Sequence, residues 1–173
     1  MGTPASGKST VAHALMRRFP RGLHLPVDTL RQLVVSGLAD MSGEPSPALL
    51  EQLRLARVSA SATAGLYAGA GFAVAIDDFW FGEHPDRDYR LEPKTHRIVL
   101  TPDVSTTLKR LYARNAAEGA FKEVLAGVIQ TLHPEIEAHP KAGWHALDSS
   151  RWSVEQTVDR ILAVTGQSVS AEG

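Results

Sequence analysis

Nine residues near the start of the sequence, Gly2-Thr3-Pro4-Ala5-Ser6-Gly7-Lys8-Ser9-Thr10, satisfy the spacing G-x-x-x-x-G-K-[ST]. A loop of this length wraps backbone N–H groups around a phosphate, and its glycines take conformations that other residues resist. A helix must begin directly beneath it, adding its positive dipole end. The sequence complies: Val11, Ala14 and Leu15 share one face, which predicts a helix over 7–18 with Arg17 and Arg18 near its C-terminal end. In this reading residues 2–10 cradle the phosphates of ATP, Lys8 bridges the β- and γ-phosphates, and the Ser9 hydroxyl ligates Mg²⁺. From residue frequencies the four fixed positions co-occur by accident in a chain this long on the order of once in a hundred sequences. The phosphate site therefore outweighs a chance glycine-rich helix start.

Such a loop follows a buried strand, yet here it begins at residue 2. That strand lies in the middle of the sheet, so losing it leaves two neighbours unpaired and apolar side chains uncovered. The expectation is a misassigned start methionine or a shortened chain, and a 173-residue form of low stability. Expression with and without the upstream coding sequence tests this, equal stability refuting it. Met1-Gly2-Thr3-Pro4-Ala5-Ser6 also fits the bare myristoylation pattern, but the phosphate loop has the stronger claim on Gly2.

Length suits one domain with a real core, spanning 1–173. The 43% hydrophobic and 21% charged fractions read as soluble and globular. A formal net charge of −1 gives no basic footprint for nucleic acid, so a bound anion must be held by a local site. The absence of cysteine excludes disulfides, thiolate catalysis and Cys-ligated metals. No apolar run matches a membrane span and no secretory signal is visible, so the cytoplasm is the expected location. Oligomeric state is not legible.

Short apolar runs alternate with longer amphipathic ones, which predicts an α/β fold with a parallel sheet. Residues 23–27 read as a strand, confined to a sheet edge by Pro26, and 28–35 as a helix. A loop over 39–47 precedes the longest helix, 48–68, whose apolar face is Leu49, Leu53, Ala56, Ala60, Ala64 and Tyr67. Strands are expected at 72–76, 97–101 and 144–147, and helices at 105–115, from a break near Gly119 to 138, and from Ser153 onward. Ser153 and Gln156 have the spacing of a capping box.

Asp77 and Asp78 end the strand 72–76, where α/β folds bind ligands. One of them suits a Mg²⁺-bound water and the other the substrate side, although Asp also favours turns. Asp77 is the candidate metal residue with Ser9, and Asp78 the candidate substrate residue. Asp28 follows the edge strand. It is placed to accept a proton from an attacking hydroxyl, with Arg31 one turn on to hold an anionic group, and it is equally a good helix N-cap. Arg110 and Arg114 share a helix face and suit either a lid around 110–122 that brings arginine to the transferring phosphoryl, or a solvated basic face. Trp80 and Phe81 suit an acceptor pocket or the core. The seven histidines have no metal-ligand spacing and are set apart from the chemistry.

GTPASGKST, VDTLR after the second strand, AIDD, and LDSS before the last helix together resemble the small P-loop kinases. The likeness is strongest to the chloramphenicol phosphotransferase-like and zeta-toxin-like group, often labelled AAA-family ATPases; shikimate and gluconate kinases are more distant. The resemblance implies a three-layer αβα P-loop NTPase fold with strand order 2-3-1-4-5, its first strand missing from this chain. It implies Mg·ATP as donor, Asp28 as the acceptor-side base, Arg110 or Arg114 in the lid, and Asp148, Ser149 and Ser150 against the adenine. Ala5 replaces a glycine common in adenylate kinase loops, and that family's nucleoside-monophosphate site is missing. The expected function is γ-phosphoryl transfer to a hydroxyl of a small molecule. The alternatives are a nucleotide-binding protein without transfer activity (regulatory, degenerate or truncated) and a polynucleotide 5′-hydroxyl kinase, the latter disfavoured by the charge balance.

Overall fold

The computed structural model describes residues 1–41, 45–80, 87–90, 94–113, 119–138 and 143–167. Helix α1 (Lys8–Met16) is followed by β1 (Gly22–Pro26), α2 (Val27–Gln32), α3 (Pro47–Gly69), β2 (Ala73–Asp77), β3 (Arg97–Leu100), α4 (Val104–Ala113), α5 (Gly119–Ala138), β4 (Trp144–Leu147) and α6 (Val154–Thr165). Every strand and helix expected from the sequence is present, with ends shifted by at most three residues. The ends that carry side-chain caps are sharply set. Ser46 accepts from the Leu49 N–H to start α3, whose first residue is Pro47. The Ser153–Gln156 capping box starts α6, and Gly166 closes it in the left-handed conformation.

The strands form two parallel pairs rather than one sheet. β1 lies beside β2 from Gly22↔Ala73 to Pro26↔Asp77, and β3 beside β4 from Arg97↔Trp144 to Leu100↔Leu147. The neighbours follow the expected order, with the central place between β2 and β3 held only by a single bridge from Gly2 to Leu100. β1 is an edge strand, as Pro26 requires.

Helices cover both faces. On one, Val11 of α1 and Val158 and Ile161 of α6 pack on Leu100 and Leu147. On the other, Ala56 and Ala60 of α3 pack around Val27, and Ile136 of α5 meets Val99 and Trp80. Trp80 is thus a core residue, 1% exposed. Tyr67, assigned to the apolar face of α3, is instead 41% exposed and stacks edge-on against Phe72. Among the described residues, no helix is long and apolar enough to cross a membrane.

Candidate nucleotide and phosphoryl-transfer site

The loop from Gly2 to Gly7 turns tightly into α1. Gly7, the residue before the helix, has φ 93°, and Ala5 has φ 58°, unusual for a residue with a side chain. The Ala5 methyl is nevertheless buried against Leu111, Ala126 and Ile129, so contact with α4 and α5 offsets the backbone strain. At Gly2 a Cβ would lie 2.7 Å from Ser6 Oγ and 2.8 Å from the Leu100 carbonyl, which leaves room for glycine alone. Lys8 points its ammonium back along the loop, 3.5 Å from the Thr3 carbonyl. The hydroxyls of Thr3, Ser6 and Ser149 are buried without hydrogen-bond partners, a rare condition that suits a polar ligand or water.

β2 delivers two adjacent carboxylates to different surroundings, because successive residues leave a strand on opposite sides. Asp77 Oδ2 lies 2.9 Å from His24 Nε2 on β1. Burial pushes the Asp77 carboxyl up, but hydrogen bonds from His24 and Ser9 and the charge of Lys8 outweigh it and hold the carboxyl below its ordinary value. Ser9 and Asp77, the two candidate metal residues, are therefore in direct contact. His24, one of the histidines set apart in the sequence, thus lies against a candidate site carboxylate.

Asp78 is 2% exposed and fully engaged. Arg57 Nε donates to its Oδ2 at 2.8 Å, the Tyr89 hydroxyl donates to the same oxygen at 2.8 Å, and the Phe79 N–H donates to Oδ1 at 2.8 Å. Arg57 Nη1 also reaches Asp88 at 3.4 Å, while its Nη2 is buried without a partner. Burial beside Asp78 drives the Tyr89 hydroxyl well above its ordinary pKa, so it stays a donor. Arg57 was missed in the sequence. The available signal was a cation at position 57 inside the apolar face of the longest helix, between Leu53 and Ala60.

Asp28 sits in the first turn of α2, whose N-cap residue is Pro26, and its side chain makes no capping bond. It reaches solvent, yet the protein crowded around it, and after that Asp78 and Asp77, raise its carboxyl pKa against the opposing pull of Lys8 and Arg31. The same interactions place Lys8, Asp77 and Asp78 within electrostatic range of Asp28. Arg31 donates from Nη1 to the Ala39 carbonyl at 2.9 Å, and its buried Nε has no partner.

Arg110 grips the back of the loop: Nη1 donates to the Ser6 carbonyl and Nη2 to the Ser149 carbonyl, each at 3.1 Å. These residues, with Gly7, Thr10 and Trp152, line a cavity of about 240 Å³. Asp148 is exposed and accepts from the Ser150 N–H at 2.9 Å and from its hydroxyl, which fixes the turn that presents Ser149. Arg114, residues 115–118 of the expected hinge, and Phe81 lie outside the described residues.

No protein-family model and no curated protein sequence matches the chain. Solved structures do. A shikimate kinase from Bacteroides thetaiotaomicron superposes with a TM-score of 0.64 at 18% identity, covering 96% of each chain. A sugar kinase from a Janibacter species gives 0.62 at 18% identity, covering 99% of this chain and 96% of the other. A tunicamycin resistance protein from Deinococcus radiodurans gives 0.64 at 17% identity, covering 99% and 95%. At such identities the likeness carries the architecture and not the chemistry. The chain has the α/β fold of the P-loop kinases.

Proposed function

We propose that this chain transfers the γ-phosphoryl group of Mg·ATP to a hydroxyl of a small molecule. The observation that carries the reading is the convergence on one mouth of Lys8, the Ser9–Asp77 contact and an Asp28 carboxyl of raised pKa. A glycine-bearing loop with three unpartnered hydroxyls around it suits a polyphosphate. Ser9 would ligate Mg²⁺ and Asp77 would hold one of its waters; the ion would supply charge neutralisation at the phosphates. Lys8 would turn from Thr3 to the phosphates. Arg110, Ser149 and Asp148 would line the purine side.

Asp28 is the candidate base. A carboxylate of raised pKa accepts a hydroxyl proton better than one of ordinary pKa. Arg31, with its unpartnered Nε, would hold a polar group of the acceptor. Asp78 would act indirectly, by fixing Arg57 and Tyr89 beside the acceptor space. Arg114 and the lid over 110–122 belong to the same proposal, as the group that closes over the phosphates. The neutral charge balance favours a small acceptor over a polynucleotide.

The test is incubation with γ-labelled ATP, Mg²⁺ and a panel of sugars, hydroxylated carboxylic acids and hydroxylated antibiotics. Label should move to one chemical class. Nucleotide binding with no labelled product would instead favour a nucleotide-binding protein without transfer activity.

A further inference from the structure

One side chain of α4 spans the two halves of the candidate nucleotide site. Arg110 Nη1 donates to the Ser6 carbonyl in the phosphate loop, and Nη2 of the same guanidinium donates to the Ser149 carbonyl in the turn after β4. The guanidinium is planar and its Nη atoms keep a fixed spacing, so it holds the two carbonyls at one separation. A lysine would act there as a point charge and set no such spacing. The next residue, Leu111, takes the loop by a second handle, since it packs with the Ala5 methyl. Two successive residues of α4 thus hold two successive residues of the loop, Ala5 by its methyl and Ser6 by its carbonyl.

α4 is itself tied to the turn at its start. The Asp103 N–H donates to Ser150 Oγ at 2.8 Å, and the Ser150 hydroxyl donates to the Asp148 carboxylate. The Asp103 carboxylate accepts from the Thr106 N–H at 2.6 Å and from the Ser105 hydroxyl at 2.8 Å, which caps the helix. Asp103 and Arg110 stand about two helical turns apart and so on nearly the same face of α4. The helix therefore meets the turn at two points, and Arg110 reaches the loop from a fixed base. The unpartnered Ser6 and Ser149 hydroxyls line the same cavity as Arg110, one on each side of its bridge.

We propose, resting on the nucleotide reading above, that Arg110 is a positioning residue. It sets the separation between the base-side turn 148–150 and the phosphate loop, and it acts on the phosphates through the Ser6 carbonyl rather than by touching them. Both of its Nη atoms are occupied by backbone carbonyls, so its guanidinium serves the loop and not a transferring phosphoryl group. A ligand that spans base side and phosphate side gains from the fixed separation. A bare polyphosphate, which meets the loop alone, gains little.

The test measures binding of Mg·ADP and of inorganic tripolyphosphate to the wild type, Arg110→Met and Arg110→Lys. Hydrogen exchange is followed alongside in the nucleotide-free proteins. Arg110→Met should weaken Mg·ADP by about tenfold or more, the scale of a lost charge-assisted hydrogen bond, and tripolyphosphate by no more than about threefold. The Ser6 and Ser150 amides should exchange faster, while the amide of the buried Val158 keeps its wild-type rate. Arg110→Lys should recover little of either effect. Equal losses for the two ligands would overturn the proposal, since Arg110 would then act on the phosphates directly. A selective loss of Mg·ADP with unchanged exchange at Ser6 and Ser150 would also overturn it, because Arg110 would then touch the base. So would faster exchange at Val158, which would mark a general loosening of the fold. These readouts need binding alone, so a wild type that binds Mg·ADP but transfers no phosphoryl group defeats the kinase reading while the same data still decide the role of Arg110. A wild type that binds neither ligand overturns both.

Discussion

His24 Nε2 on β1 lies 2.9 Å from Asp77 Oδ2 on β2, so an edge-strand imidazole holds the carboxylate that touches Ser9. Partners of this kind orient a metal-binding group without touching the metal, and their loss typically costs 10–100-fold in metal affinity. His24→Phe should therefore raise the Mg²⁺ concentration needed for half-maximal ATP binding by about tenfold. A Mg²⁺ titration at fixed ATP measures it, and an unchanged midpoint would detach His24 from the site.

Asp77 also sets an acid limit. Its folded pKa is depressed, so its contribution to stability is complete above the ordinary carboxylate range and is lost as pH falls through the lowered value. In Asp77→Asn the loss of Tm between neutral pH and about pH 3 should be shallower than in the wild type. Parallel thermal scans across that range decide it.

The Met1 ammonium behaves in the opposite sense. Its folded pKa is lowered from 8.0 to about 6, so the unfolded chain binds more protons between these values and stability rises with pH across that window. Two units correspond to about 2.7 kcal/mol. Urea unfolding at pH 6 and pH 8 should show a gain of this order, and acetylation of the terminus should abolish the difference.

Arg57 and Asp78 form a buried pair, and removing one partner of such a pair strands the other charge at a cost of about 3–5 kcal/mol. Arg57→Ala should lower Tm by roughly 6 to 20 °C for a domain of this size. Arg57→Met with Asp78→Asn should recover part of the loss. A double-mutant cycle by thermal unfolding separates the pair from the packing of Arg57 alone.

The phosphate loop, the element order and the edge position of β1 were legible because each rests on local chemistry: the spacing of Gly2, Gly7 and Lys8, alternating runs, and a proline that cannot donate. The Ser153–Gln156 cap was legible for the same reason. What stayed hidden depends on pairing between distant residues. His24 meets Asp77 only because β1 and β2 run in parallel register, and Arg57 reaches Asp78 only because α3 crosses β2. The sequence offered Asp77 for the metal and Asp78 for the substrate, but the different partners of the two carboxylates were hidden, since adjacent strand residues diverge by geometry alone. Arg110 was a candidate in the sequence, but its grip on the Ser6 and Ser149 carbonyls was not legible there.

The central claim is that Asp28 is the base of a phosphoryl transfer, and Asp28→Asn tests it most directly. The measurement pairs Mg·ATP affinity with transfer of labelled γ-phosphoryl to whichever acceptor the wild type phosphorylates. The account predicts affinity within about twofold of wild type and transfer lowered by about 10²–10⁴. Transfer at the wild-type rate, or a wild type that phosphorylates no hydroxylated acceptor, would contradict it.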